Sequence, residues 1–118
     1  MKQLKFKFDL DSKAAIYVPS TVAVNNDDSE GLQEKFTREV LSLFSRWFGG
    51  ATATDALGGW VSGGAELIVE KVKIVYAFCT KEAFADHLDE LLEVCERIKR
   101  DMGQEAVTLE YNGQVKFV

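Results

Sequence analysis

Glu70 is the residue whose placement most suggests chemistry. It interrupts the run Leu67-Ile68-Val69-Glu70-Lys71-Val72-Lys73-Ile74-Val75-Tyr76-Ala77-Phe78-Cys79, whose alternation is that of a β-strand. By parity Glu70 shares a face with Ile68, Val72 and Ile74, where an isolated carboxylate would be costly. Held there with a raised pKa, it would serve as a general acid or base, or as an anchor for a ligand, with Asp55 and Trp60 lining the same pocket. Two structural explanations compete. A β-bulge near Glu70-Lys71 would turn the side chain outward, or the strand would overrun the core and leave it in water. Glutamates are mostly solvated, so no residue is assigned as catalytic, and Glu70 stands as the single weak candidate.

The remaining reactive side chains carry less. His87 is the one histidine; it has no Ser or Cys partner at a diagnostic spacing and cannot build a multi-ligand zinc site. Cys79 and Cys95 sit in apolar surroundings without metal-ligand spacing, as buried reduced thiols do. Cys79 has no adjacent positive charge to lower its pKa. The pairs Gly49-Gly50, Gly58-Gly59 and Gly63-Gly64 do not open a helix after a strand in a phosphate-binding pattern. They read as a helix stop, a strand kink and a hairpin turn. No metal and no cofactor is expected.

The elements that would position these residues are legible from periodicity. Leu4, Phe6, Phe8 and Leu10 alternate with Lys5, Lys7 and Asp9, predicting a first strand. Ala14 to Val24 predicts a second, with Pro19 marking an edge or bulge. Asp28 or Ser29 is placed to cap a helix whose stripe is Leu32, Phe36, Val40, Phe44 and Trp47, ending at Gly49-Gly50. Ala51–Thr54 and Trp60-Val61 precede the long strand. Thr80 then caps a second helix with Phe84, Leu88, Leu91, Cys95, Ile98 and Met102 on one stripe. Val107, Leu109 and Tyr111 alternate, and Asn112-Gly113 signals a type I′ turn that folds Val115 and Phe117 back as a short terminal strand.

Without its outer additions this order is β-α-β-β-α-β. It predicts a single α+β domain over residues 1–118, a ferredoxin-like sandwich with an extra N-terminal strand and a short C-terminal one. If Gly63-Gly64 form a two-residue turn, Trp60 lies opposite Leu67 and Leu57 opposite Glu70. Val72, Ile74, Tyr76 and Phe78 would then lie under the helices with Ala51 and Ala53. The open face would carry Trp60, Leu67, Val69, Val75 and Ala77, which is more apolar than a bare surface usually is. The first strand, another subunit or a ligand would cover it.

The chain has 118 residues, 47% hydrophobic and 28% charged, with a net charge of −5, which suits one globular domain. That charge disfavours duplex nucleic acid and anionic membranes as partners. No apolar run approaches the roughly 18 residues that cross a bilayer. The charged, alternating start is unlike a signal peptide, and a cytoplasmic location is expected.

The stretch from Phe36 to Val107 resembles a loosely defined group of small uncharacterised bacterial proteins. The resemblance rests on Phe48-Gly49-Gly50-Ala51-Thr52, Gly58-Gly59-Trp60, Glu70-Lys71-Val72 and Gln104-Glu105-Ala106-Val107. It implies a ferredoxin-like fold and no assigned activity, and it does not include the first strand.

These features lead to the expectation of a non-enzymatic interaction module that homodimerises, or binds a protein partner, through Trp60, Leu67, Val69 and Val75. The alternative is a small-molecule-binding protein or enzyme of the dimeric α/β-barrel type, with Glu70, Asp55 and Trp60 in its pocket. A third reading, suggested by size and charge, is a small acidic inhibitor from a mobile element.

Overall fold

The computed structural model describes residues 6–20 and 30–118. Its elements are β1 (Ser12–Val18), α1 (Glu30–Phe48), β2 (Thr52–Val61), β3 (Leu67–Cys79), α2 (Lys81–Asp101), β4 (Thr108–Tyr111) and β5 (Gln114–Phe117). The five strands form one antiparallel sheet in the order β2-β3-β1-β4-β5. Among the described residues no helix is long and apolar enough to cross a membrane.

Both helices follow their sequence stripes. Phe36, Val40 and Phe44 of α1, and Phe84, Leu91, Val94, Cys95 and Ile98 of α2, are buried against the sheet. Gly49 takes φ 90° and closes α1 with a bond from its N–H to Ser45 O at 3.0 Å, a left-handed stop that glycine adopts without strain. Thr80 caps α2 by accepting from Ala83 N at 3.1 Å. Asn112 and Gly113 both have positive φ, as the type I′ turn between β4 and β5 demands. The helix cap expected at Asp28 or Ser29 lies outside the described residues.

The expected strand from Leu4 to Leu10 is not formed in its described part. Phe6 to Leu10 belongs to no strand, and Phe6, Phe8 and Leu10 are exposed. Both sides of β1 are already taken by β3 and β4, so the segment before it cannot pair with β1, and alternation alone does not place it on another strand.

The β2–β3 hairpin departs from expectation by one residue. Its loop is three residues, Gly63-Gly64-Ala65, not two. Ala65 N donates to Ser62 O, Ser62 N donates to Glu66 O, and Ala65 occupies the left-handed region at φ 65°, the geometry of a turn closed by a bulge. Trp60 therefore pairs with Ile68, Leu57 with Lys71 and Gly58 with Glu70. A one-residue slip exchanges the two faces of a strand. Val75, Ala77 and Cys79 lie beneath the helices with Ala14, Ile16 and Val18, while Ile74, Tyr76 and Phe78 face the other way. The helix-facing surface is the one carrying the small Ala14 and Ala77, which leaves room for Phe36 and Phe44.

The open face runs from Trp60 through Glu70, Val72, Ile74, Tyr76 and Phe78 to Tyr17, Glu110, Val115 and Phe117. Tyr17 OH donates to Glu110 Oε1 at 2.9 Å there. That bond, partial burial and the charge of Glu110 raise the Tyr17 pKa above the ordinary tyrosine value.

Two outcomes follow from this packing. Phe36→Ala should remove about 3–5 kcal/mol of stability, seen as a lowered urea midpoint without loss of helical circular dichroism in the native baseline. Because the Tyr17 pKa is raised on folding, its pair with Glu110 supports the fold fully below the unfolded tyrosine pKa and loses that support as pH rises through the folded one. Glu110→Gln should lower the Tyr17 pKa, followed through its ring resonances in an alkaline titration.

Candidate functional site

The hairpin register carries Trp60 and Glu70 to the same face, on diagonal positions of neighbouring strands. The Trp60 indole Nε1–H donates to Glu70 Oε1 at 3.3 Å. Glu70 is half-buried, so it neither lies in the core nor stands fully in water. The parity that aligned it with Ile68, Val72 and Ile74 is correct, and the face it belongs to is the one the helices leave open. Opposite it is Gly58, where an added Cβ would come within 3.3 Å of Val72 Cγ2. A glycine there keeps the surface beside the carboxylate clear of a side chain.

Asp55 is not part of this group. It pairs with Lys73 on the helix side of the sheet, with Lys73 Nζ 2.5 Å from its carboxylate, and that pairing raises the Lys73 pKa. With Gln33, Leu57 and Lys71 it lines a groove of about 610 Å³ beside α1. Gln33 is buried and its Nε2 donates to Val18 O at 3.2 Å and to Lys71 O at 3.5 Å, joining α1 to two strands. The expected pocket of Asp55, Glu70 and Trp60 thus divides between opposite faces.

The expected interface set divides as well. Trp60 is on the open face, Leu67 and Val69 are exposed on the helix side beyond the reach of the helices, and Val75 is completely buried. Val75 cannot serve an interface, because the corrected register turns it into the core. Alternation alone gives two equivalent faces, and the turn length chose between them.

His87 stacks on Trp47 at 4.7 Å between centroids and 7° between planes, with Phe48 at its edge. It belongs to the seam between the helices, beside a crevice of about 190 Å³ lined by Glu39, Trp47, Glu90, Glu93 and Arg97. The Arg97 guanidinium is bound by Glu39 there, which raises its pKa further. Burial pushes the Cys95 thiol up to about 12 and raises that of Cys79, so both are poor nucleophiles. Among the described residues no group of three or more His, Cys, Asp or Glu side chains could hold a metal.

The sequence reading missed the Tyr17–Glu110 pair. The parity of Tyr17 against Ile16 and Val18 contains that signal, but the register between β1 and β4 is needed to bring Glu110 near.

What remains is a sheet face rich in aromatic side chains, with a carboxylate held by an indole. Such a surface suits a planar ring or an organic cation: aromatic faces attract cations within about 6 Å, and a carboxylate supplies the countercharge.

No family model and no curated protein matches the chain. Among solved structures, a phage SAM lyase in its apo state is similar at a TM-score of 0.64 and 17% identity, covering 99% of this chain and 95% of the other. A phage SAM lyase in complex with S-methyl-5′-thioadenosine is similar at 0.63 and 16% identity, covering 97% and 95%. These neighbours are an enzyme, in free and ligand-bound forms. They overturn the expectation of a non-enzymatic interaction module and favour the small-molecule alternative. The chain shares its fold, along nearly its whole length, with phage SAM lyase.

Proposed function

We propose that this chain is a lyase acting on S-adenosylmethionine, with Trp60 and Glu70 in its binding site. The carrying observation is the likeness to phage SAM lyase over nearly the full length of both chains, one of them bound to S-methyl-5′-thioadenosine. The open sheet face supports it chemically. The substrate joins a planar adenine, a sulfonium cation and an amino-acid zwitterion, and this face offers aromatic rings, apolar side chains and a carboxylate.

In the proposed reaction the bond between the sulfonium sulfur and Cγ of the methionyl chain breaks, and its electron pair goes to sulfur. The sulfur leaves as the neutral thioether of S-methyl-5′-thioadenosine. Cγ takes its new bond from an oxygen of the substrate's own carboxylate, closing a five-membered lactone whose ammonium group keeps the remaining charge. Attack of an anion on a cation disperses both charges on the way to the transition state. A surface of Val72, Ile74, Tyr76 and Phe78 that displaces water therefore favours the step. A carboxylate held against the sulfonium would stabilise the charge that the reaction destroys. Glu70 is better suited to the α-ammonium, which stays positive throughout, and Trp60 to stacking with the adenine.

The core β1-α1-β2-β3-α2-β4 is read as a split βαβ, ferredoxin-like arrangement with β5 as its addition. That reading is supported by β1 lying between β3 and β4 in the sheet.

Incubation with S-adenosylmethionine should release S-methyl-5′-thioadenosine and homoserine lactone in equal amounts, resolved by liquid chromatography and mass spectrometry. Glu70→Gln should lower kcat/KM by roughly 10- to 100-fold, mainly through KM, as loss of a charged hydrogen bond predicts. Purified protein that leaves S-adenosylmethionine intact would refute the assignment. Vinylglycine in place of the lactone would replace internal capture with proton abstraction.

A further inference from the structure

We propose that Gln33 is a positioning residue for the Trp60–Glu70 site, holding the backbone beside Glu70 from helix α1; the proposal rests on the functional reading above. Among the described residues Gln33 is one of three buried polar side chains, with Ser12 and Thr37. It belongs to the helix that also buries Phe36, Val40 and Phe44, where an aliphatic side chain would avoid the cost of dehydrating a carboxamide. Buried polar groups are tolerated where they find partners, and the partners of Gln33 say what it does.

Those partners are main-chain carbonyls on two strands. The Gln33 Nε2 donates to Val18 O at 3.2 Å and to Lys71 O at 3.5 Å. Val18 is the last residue of β1 and is followed by Pro19, which has no N–H with which to continue a ladder. On β3 the last residue paired with β1 is Lys73, and Lys71 lies two residues beyond it toward the hairpin turn. The Gln33 carboxamide therefore supplies a donor to the Lys71 carbonyl where β1 no longer can. At the same level Lys73 Nζ reaches the Asp55 carboxylate on β2. From Lys71 toward the turn, β3 has β2 as its ladder partner among the described residues. The angle at which this part of the hairpin leaves the sheet is thus set at its base, by α1 through Gln33 and by the Lys73–Asp55 pair.

The site depends on that angle. Lys71 pairs with Leu57 and Glu70 with Gly58, so a displacement at Lys71 carries both strands with it. Glu70 is the adjoining residue, and Trp60 lies three residues from Leu57 along β2, its indole Nε1–H bonded to Glu70 Oε1 at 3.3 Å. Gln33 reaches the sheet from the helix side, whereas Trp60 and Glu70 are on the open face, so Gln33 acts on them through the backbone alone. Small misplacements of a binding group, even from a distant change, cost large factors in rate.

The test compares Gln33→Met, which keeps the side chain's length and removes its N–H donors, with Val40→Ala, which opens a cavity about two turns along the same helix. Both should lower the urea midpoint. In the ligand-free protein Gln33→Met should shift the Trp60 indole N–H signal in a nitrogen–proton correlation spectrum, and Val40→Ala should leave it in place. Calorimetry should show S-methyl-5′-thioadenosine bound roughly tenfold more weakly by Gln33→Met, as loss of a hydrogen bond to a held backbone predicts, and unchanged for Val40→Ala. Gln33→Asn, which draws the carboxamide back by one methylene, carries the same readouts where Gln33→Met does not fold. A folded Gln33 variant with the wild-type Trp60 signal, or with undiminished affinity, would overturn the proposal. So would an equal loss of affinity in Val40→Ala, which would make the effect one of stability. A wild type that binds no S-methyl-5′-thioadenosine would count against the functional reading, and the ligand-free Trp60 signal would still decide whether Gln33 holds the hairpin.

Discussion

The register of β3 against its two neighbours is the constraint on which both faces of the molecule depend. Once Ser62 N is bonded to Glu66 O and Ala65 sits in the left-handed region, every later residue of β3 is committed to one side. Val75, Ala77 and Cys79 turn toward α1 and α2, where they join Ile16, Phe36, Phe44, Leu91 and Ile98 in the core. Each large aliphatic or aromatic side chain buried there contributes about 1.5–3 kcal/mol. The alternative register would bring Tyr76 and Phe78 beneath the helices in place of Val75 and Ala77, and overpacking on that scale is itself destabilising. The core thus selects the three-residue loop as much as the loop selects the core.

The same choice makes the other face. Turning the small residues inward leaves Tyr17, Tyr76, Phe78 and Trp60 outward, with Glu70 and Glu110 each held by an aromatic donor. β3 continues for six residues beyond its last pairing with β1, so among the described residues Trp60 and Glu70 stand on the two-stranded part of the sheet that β2 and β3 form. A site on such a ribbon gains precision from the Trp60–Glu70 bond, and Gly58 leaves clear the space beside Val72 that a Cβ would crowd. Under the proposed function, an apolar surface is also where the union of a carboxylate and a sulfonium is least opposed by solvent.

Much of the scaffold was legible before any coordinates. The stripes Phe36-Val40-Phe44 and Phe84-Leu91-Cys95-Ile98, the caps at Thr80 and Gly49, and the Asn112-Gly113 turn act locally, so periodicity and residue type suffice to read them. The site was legible in part. Glu70 stood out because a carboxylate broke an apolar alternation, and Trp60 is indeed its neighbour, whereas Asp55 belongs to another groove. The difference lay in one quantity that residue type alone does not fix, the loop length between β2 and β3, which moved Val75 into the core and Tyr76 out of it. Phe6 and Phe8 alternate as well as any strand residues, but alternation does not name a pairing partner, and both sides of β1 are taken by β3 and β4. The enzymatic reading could not come from motifs, because nothing in the sequence has the spacing of a familiar catalytic set.

The most direct test of the central claim uses the chain's two tryptophans. Trp60 is on the proposed site and Trp47 is in the seam between the helices, stacked on His87. Their indole N–H signals, resolved in a nitrogen–proton correlation spectrum, would be followed while S-methyl-5′-thioadenosine is added to the wild-type protein. The account predicts a saturable shift of the Trp60 signal with the Trp47 signal unmoved. A spectrum in which neither signal moves, or in which Trp47 alone responds, would contradict it.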